Sequence, residues 1–279
     1  MTSAALDACL CLLLVSAAAV TVTSVPQPSS ETDRADAVAE TVAVETAHVT
    51  YSLQPPARNG GEVGPEYDRT AHGTLASLLA HAAVSTVRVD GEPLTRTREQ
   101  FGAAVRATVE QHLPARTQVA VEFRPYPGAH LGRQIAVGPD PPRSVDVHAA
   151  TVRAPSGISE PASPAATAAN TGFDGLGDAV ATKLVDGLFP PEKARLALAG
   201  DPPVSSLVEH RYARASELYG VRTQDAVDRG ATRTANRRLA VALRDRVAAD
   251  LRERFTSPEA AADALRLAEV KIVVRTWSP

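Results

Sequence analysis

Residues Met1 to Val25 (MTSAALDACLCLLLVSAAAVTVTSV) form the only long apolar run in the chain and constrain its architecture more than any other stretch. Ala8 to Val25 carries no charge. As a helix rising ~1.5 Å per residue, these residues would reach about 27 Å, enough to cross a bilayer core. Asp7 would then lie in the headgroup layer. The sequence therefore predicts a transmembrane or export segment over residues 1–25. A cleaved signal peptide is the competing reading, with Ala17, Ala18 and Ala19 as the cleavage region, but no Lys or Arg precedes the run. A buried core helix is the third reading. Positive-inside counting leaves orientation open, because only Arg34 follows soon after the run.

Both cysteines, Cys9 and Cys11, lie in this run. Two positions apart on a helix, they face different directions and cannot close a good disulfide. The rest of the chain is free of thiols, so its folding needs no disulfide in any redox compartment. Net charge is −3, which favours neither nucleic acid nor an anionic membrane surface. Aromatic residues make up 4% against 44% hydrophobic residues, which points to a small-residue aliphatic core.

Beyond Val25 the chain reads as α+β, with helices packed on a mostly antiparallel sheet and a helical C-terminal region ending in a strand. Residues 26–44 form a Pro/Ser collar and a short helix. Residues 45–153 read β-α-β-α-β-β-β. Strands are expected at His48–Leu53, Val87–Val89, Gln118–Phe123, Gln134–Val137 and Val145–Val152, and helices at Thr70–Val84 and from Thr97. Asp90-Gly91 is a hairpin turn signal, and Thr97 with Gln100 fits a capping box. Residues 154–171 (APSGISEPASPAATAANT) lose all periodicity and read as a Ser/Pro/Ala linker or loop. Residues 172–279 turn helical, with Gly220 and Gly230 as weak points and Leu239, Leu243, Val247, Leu251 and Phe255 as a buried stripe. Ser257-Pro258 opens a last helix. Glu269 to Trp277 is a terminal strand, and it needs a sheet; the nearest is in residues 45–153, so the strand is expected to return there.

No linear motif carries chemistry. His48, His72, His81, His112, His130, His148 and His210 make no i, i+4 pair and no metal-ligand cluster. Gly172, Gly175 and Gly177 occur in the wrong order for a dinucleotide fingerprint and follow no strand, so they read as a flexible helix start. Ser156 lies in the linker, away from any rigid base, and no nucleophile elbow occurs. Residues 210–254 hold eleven Arg and six acids, but the interleaved charges read as a solvated helix face without stacking aromatics for nucleic acid. No catalytic, cofactor-binding or metal-ligating residue is therefore assigned, no cofactor is expected, and no nucleic-acid partner is expected.

Several stretches together carry a resemblance: ALDACLCLLLVSAAAV at the start, DRTAHGTLASLLAHAAV, VEFRPYPGAHLGR and VDVHAATVRAPSG in the middle, and VKIVVRTWSP at the end. With these the chain resembles a family of uncharacterised haloarchaeal membrane-anchored, pilin-like proteins. The resemblance implies an envelope role near type IV pilus or secretion-type machinery. The chain lacks a pilin's basic-Gly processing site ahead of the apolar run. The expectation is a non-enzymatic, single-pass cell-membrane protein with an extracellular domain, held in the membrane by residues 1–25 and partnered by pilus or secretion proteins. The alternatives are a tethered or secreted binding module for a small ligand or envelope polymer, and an envelope hydrolase without a linear motif.

Overall fold

The computed structural model describes residues 30–53, 64–94 and 98–278, with side chains from Arg34 onward. The expected membrane segment Met1–Val25 lies outside the described residues. Among those described, no helix is long and apolar enough to cross a membrane.

The first helix, α1 (Ser30–Val44), buries Ala35, Val38, Ala39 and Val42, a stripe at helical spacing. Two strands follow, β1 (Thr46–Ser52) and β2 (Asp68–Thr74), paired antiparallel with His48 opposite His72. Here the sequence reading needs correction, since it began a helix at Thr70. Residues Thr70–Thr74 complete β2, and helix α2 (Leu75–Ser85) starts only at Leu75. Pairing with β1 gives these β-branched and small residues a ladder, and tertiary pairing outweighs their weak local preference. The boundary is fixed by Thr74, whose side chain accepts from the Ser77 backbone N–H at 3.1 Å. Thr74→Ala is expected to lower stability by about 1 kcal/mol in urea unfolding; an unchanged midpoint would show that the cap is redundant.

Strands β3 (Arg88–Val89) and β4 (Glu92–Pro93) form a hairpin through Asp90 and Gly91, both at positive φ (50° and 83°), as the Asp-Gly signal predicts. Helix α3 (Glu99–His112) has Arg98 at its N-cap; Thr97, the expected cap, lies outside the described residues. It buries Phe101, Val105 and Val109.

Strands β5 (Thr117–Phe123), β6 (Leu131–Val137), β7 (Val147–Pro155) and β8 (Glu269–Trp277) complete a six-stranded antiparallel sheet of order β4-β3-β6-β5-β8-β7. The terminal strand β8 lies between β5 and β7 and bonds to both. Val119, Val121, Phe123, Ile135, Val270, Ile272 and Val274 share the inner face, beneath the helices. Glu122, Gln134, Lys271 and Arg275 occupy the outer, wetter face. This alternation is what a sheet covered on one side requires.

The stretch 154–171 is not the open linker its composition suggests. Ala154 and Pro155 end β7, and Pro164 already opens α4 (Pro164–Leu188). Between them the loop is tied down. Ser156 donates its backbone N–H to the Ala268 carbonyl at 2.9 Å and its hydroxyl to the Leu267 carbonyl at 2.5 Å. Ile158 is buried, and Glu160 accepts from the Ala268 N–H at 3.0 Å. The glycines of GFDGLG are likewise not a flexible helix start. Gly172, at φ 62°, kinks α4 partway along, and Gly177 lies in its buried face.

Helices α5 (Pro191–Leu198), α6 (Val204–Tyr219), α7 (Gln224–Asp228), α8 (Thr232–Arg254) and α9 (Pro258–Asp263) follow. Gly220 and Gly230, both left-handed, divide the long helical tract into α6, α7 and α8. The spacing-four stripe Leu239, Leu243, Val247 and Leu251 is buried in α8, which packs along α4. Ser257 caps α9, accepting from the Ala260 N–H at 3.2 Å.

The helical region is fastened to one end of the sheet. Asp250 of α8 reaches the β5–β6 loop: its Oδ2 accepts from Tyr126 Oη at 3.2 Å and the His130 backbone N–H at 3.3 Å, and lies 2.6 Å from His130 Nδ1. Arg246 pairs with Asp90, and Arg214 with Glu92 at 3.2 Å, both in the β3–β4 hairpin.

Candidate functional site: a cationic cleft

Where the helical region meets α2 and α3, the chain leaves a cleft of about 600 Å³. Five segments line it. Helix α2 supplies Ser77 and His81, one turn apart on its uncovered line, and Arg98 comes from the start of α3. The end of β7 and the turn after it supply Pro155 and Ser156. Phe189, Lys193 and Ala197 come from the α4–α5 corner, and Val204, Val208, Arg211 and Tyr212 from α6. The volume suits a ligand of metabolite size.

The charges in the cleft have one sign. Arg98, Lys193 and Arg211 converge there, and no Asp or Glu among the described residues lines it. Arg211 is half-buried, its guanidinium 4.9 Å from the centre of the Phe189 ring, and its Nε is enclosed without a hydrogen-bond partner among the described residues. Loss of solvent, reinforced by the Arg98 charge, pulls its pKa down to about 10. A guanidinium in this condition is short of an acceptor. The stacking fixes its plane and leaves its edge for a bidentate anion.

His81 is held by an edge contact with Phe101, ring centres 5.1 Å apart, and Phe101 is itself stacked on Tyr51 at 4.7 Å. Its pKa is lowered, first by desolvation against the cleft walls and then by Arg98, Lys193 and Arg211. The floor is also fixed. Tyr212 donates its hydroxyl to Asn236 Oδ1 at 2.8 Å, and Asn236 Nδ2 donates to Asp186 at 2.9 Å and to the Phe189 carbonyl at 2.7 Å. Burial raises the Tyr212 pKa, so its hydroxyl stays protonated. The result is a rigid, partly apolar cavity with a positive rim. It is suited to holding an anion, and among the described residues no carboxylate lines it to serve as a general base.

Of these residues, sequence reasoning weighed only His81 and Ser156 and set both aside. Arg98, Lys193 and Arg211 are far apart in the chain, and only the fold collects them. His48 and His72 are also brought together, across β1 and β2 with rings 6.0 Å apart. His130 is taken up by Asp250, while His112 lies 3.5 Å from Glu45. Ser156 is fixed by hydrogen bonds to its neighbours, contrary to the expectation of a loose linker serine. Among the described residues no three His, Cys, Asp or Glu side chains gather as a metal site.

No curated protein and no solved structure matches the chain. A family profile matches residues 6–277, nearly the whole sequence. The chain thus belongs to the family of unknown function DUF7284.

Proposed function

We propose that this protein is a non-enzymatic, membrane-tethered envelope protein whose folded domain, outside the cell, binds a small organic anion in the cleft between α2, α5 and α6. The observation that carries the reading is the convergence of Arg98, Lys193 and Arg211 on a rigid cavity lined, among the described residues, by no carboxylate. Uncompensated positive charge in a partly dry cavity is costly, and an anionic ligand relieves it. The apolar wall of Phe189, Val204 and Val208 selects a ligand with a hydrophobic body, such as an aromatic carboxylate. The tether rests on the uncharged run Ala8–Val25.

Calorimetry with benzoate and longer aromatic carboxylates tests the cleft. Binding is expected to weaken by about tenfold or more in Arg211→Met, because a charge-assisted hydrogen bond is lost. His81 supplies a second readout. Its pKa is depressed first by burial and then by the rim cations, and a bound anion, offsetting the cations, raises it. By linkage, affinity then increases as pH falls through the His81 titration. A ring-proton titration of His81 that does not move with saturating ligand, or an Arg211→Met variant that binds as well as wild type, sinks the proposal.

A second reading is assembly with a pilus-like or secretion system through residues 1–25. It is favoured by one observation: α1 begins only five residues after Val25, and it packs on β7 and β8. An apolar run leading into a helix laid on an antiparallel sheet is a layout suited to packing in a bundle of such helices. Purification from membranes with and without Met1–Val25 tests it. Recovery of the same partners by the truncated chain, or of none by the full chain, counts against assembly through this segment.

A further inference from the structure

A second positive pocket lies on the other side of the α3 N-terminus. It encloses about 320 Å³ between α3 and the β3–β6 edge of the sheet, and is lined by Thr86, Arg88, Glu99, Gly102, Arg106 and Arg133, among others. Glu99, Gly102 and Arg106 fall at i, i+3 and i+7, one face of α3. Arg88 comes from β3 and Arg133 from β6, and Arg88 pairs in register with Gly132, the residue before Arg133. Three elements therefore each contribute one arginine to the pocket lining, Arg88 coming from the strand face opposite to that of Arg133.

Arg133 is out of place for a sheet residue. It stands opposite Phe123, so it belongs to the inner face with Ile135, where apolar side chains are expected. Its Nε is enclosed with no hydrogen-bond partner among the described residues. Arg88 is steadied by donating to the Gly91 carbonyl at 2.7 Å. Among the described residues only one carboxylate, Glu99, lines the pocket against three guanidinium groups, and it is exposed. Desolvation, then the charges of Arg88 and Arg106, lowers the Arg133 pKa despite the opposing Glu99. A half-buried arginine beside two others gains from an anion that completes it. Guanidinium groups arriving from different directions suit an oxyanion with acceptors on several sides, and the forked geometry of Arg matches phosphate.

We infer that Arg88, Arg106 and Arg133 form a phosphate-binding site distinct from the cationic cleft, open to free phosphate or to a phosphate monoester. The pocket is larger than the ion, so it leaves room for water or for the first atoms of an ester.

The test uses the full chain and thermal unfolding in phosphate-free buffer, titrated with inorganic phosphate in one arm and glycerol 1-phosphate in the other. A ligand that binds only the native state raises the melting temperature saturably. The wild type is expected to show this rise in at least one arm, and the arm with the tighter response assigns the source. Arg133→Met should weaken the response by about tenfold or more. Without phosphate it should melt no lower than wild type, because it removes the most enclosed of three like charges, which one exposed Glu99 offsets only in part. Arg106→Gln, on the exposed side of α3, should weaken the response without touching the sheet. Arg211→Met, in the other cleft, should retain it. The inference is overturned if the wild type responds in neither arm, or if Arg133→Met and Arg106→Gln respond as the wild type does.

Discussion

Asp250→Ala is expected to destabilise the domain by roughly 3–5 kcal/mol, because one carboxylate oxygen serves three donors. The Tyr126 hydroxyl, the His130 amide and the His130 ring all converge on Asp250 Oδ2. The side chains of His130 and Asp250 are only 11% and 19% exposed, so water cannot readily replace the lost acceptor. The exposed pair Arg252–Asp174, which also ties α8 to α4, should matter far less, under about 1 kcal/mol. Denaturant unfolding of Asp250→Ala and Asp174→Ala side by side checks the ranking. Equal losses would mean that the β5–β6 loop is not fastened through Asp250.

The same clamp makes a pH prediction. Burial on its own would raise the Asp250 pKa, but the hydrogen bond and charge of His130, followed by the Tyr126 hydroxyl, outweigh it and the net shift is downward. A carboxylate with a depressed native pKa contributes stability that is present above the ordinary carboxylate pKa and is lost as pH falls through the depressed native value. Stability should therefore decline on the acid side of the ordinary carboxylate range. Asp250→Ala should decline less steeply over that window; a parallel decline would remove Asp250 from the acid limb.

Gly177→Val is expected to cost about 3 kcal/mol or more, by forcing α4 and α8 apart. A Cβ at Gly177 would lie 2.8 Å from the Ala248 Cβ, 3.0 Å from the Ala248 backbone N and 3.0 Å from the Arg244 carbonyl oxygen. Two of those three neighbours are backbone and cannot turn aside. The small residues Gly177 and Ala248 thus set how closely the two longest helices approach. Gly177→Ala paired with Ala248→Gly tests this, because the double variant should recover part of the single variant's loss beyond simple addition. Strict additivity would place the strain elsewhere.

Much of the secondary structure can be read from local pattern. The Asp90-Gly91 turn, the Ser257 cap and the buried stripe of α8 are each set by neighbours within a few residues, so sequence spacing reveals them. The errors arise where distant residues decide. Thr70–Thr74 become a strand because β1 offers a partner about two dozen residues earlier. Ala154–Thr171 has a linker's composition, yet Ile158 and Ala168 are buried and Ser156 is bonded to the chain just before β8. Gly177 is read as slack when considered alone, and as a close approach once Ala248 lies opposite. The cationic cleft was illegible for the same reason. Arg98, Lys193 and Arg211 have no shared spacing, and an unpaired arginine in a chain with 26 of them has no local signature.

The position of β8 has a consequence for how the protein is made. Every other strand of the six-stranded sheet precedes it in the chain, and β7 has no ladder partner except β8. During synthesis, β5 and β7 therefore present open edges while α4 to α9 are emerging from the ribosome. The seat of α1 on β7 and β8 is incomplete for the same interval. The centre of the sheet cannot close before β8 is made. Strand edges left open in this way call for protection against aggregation.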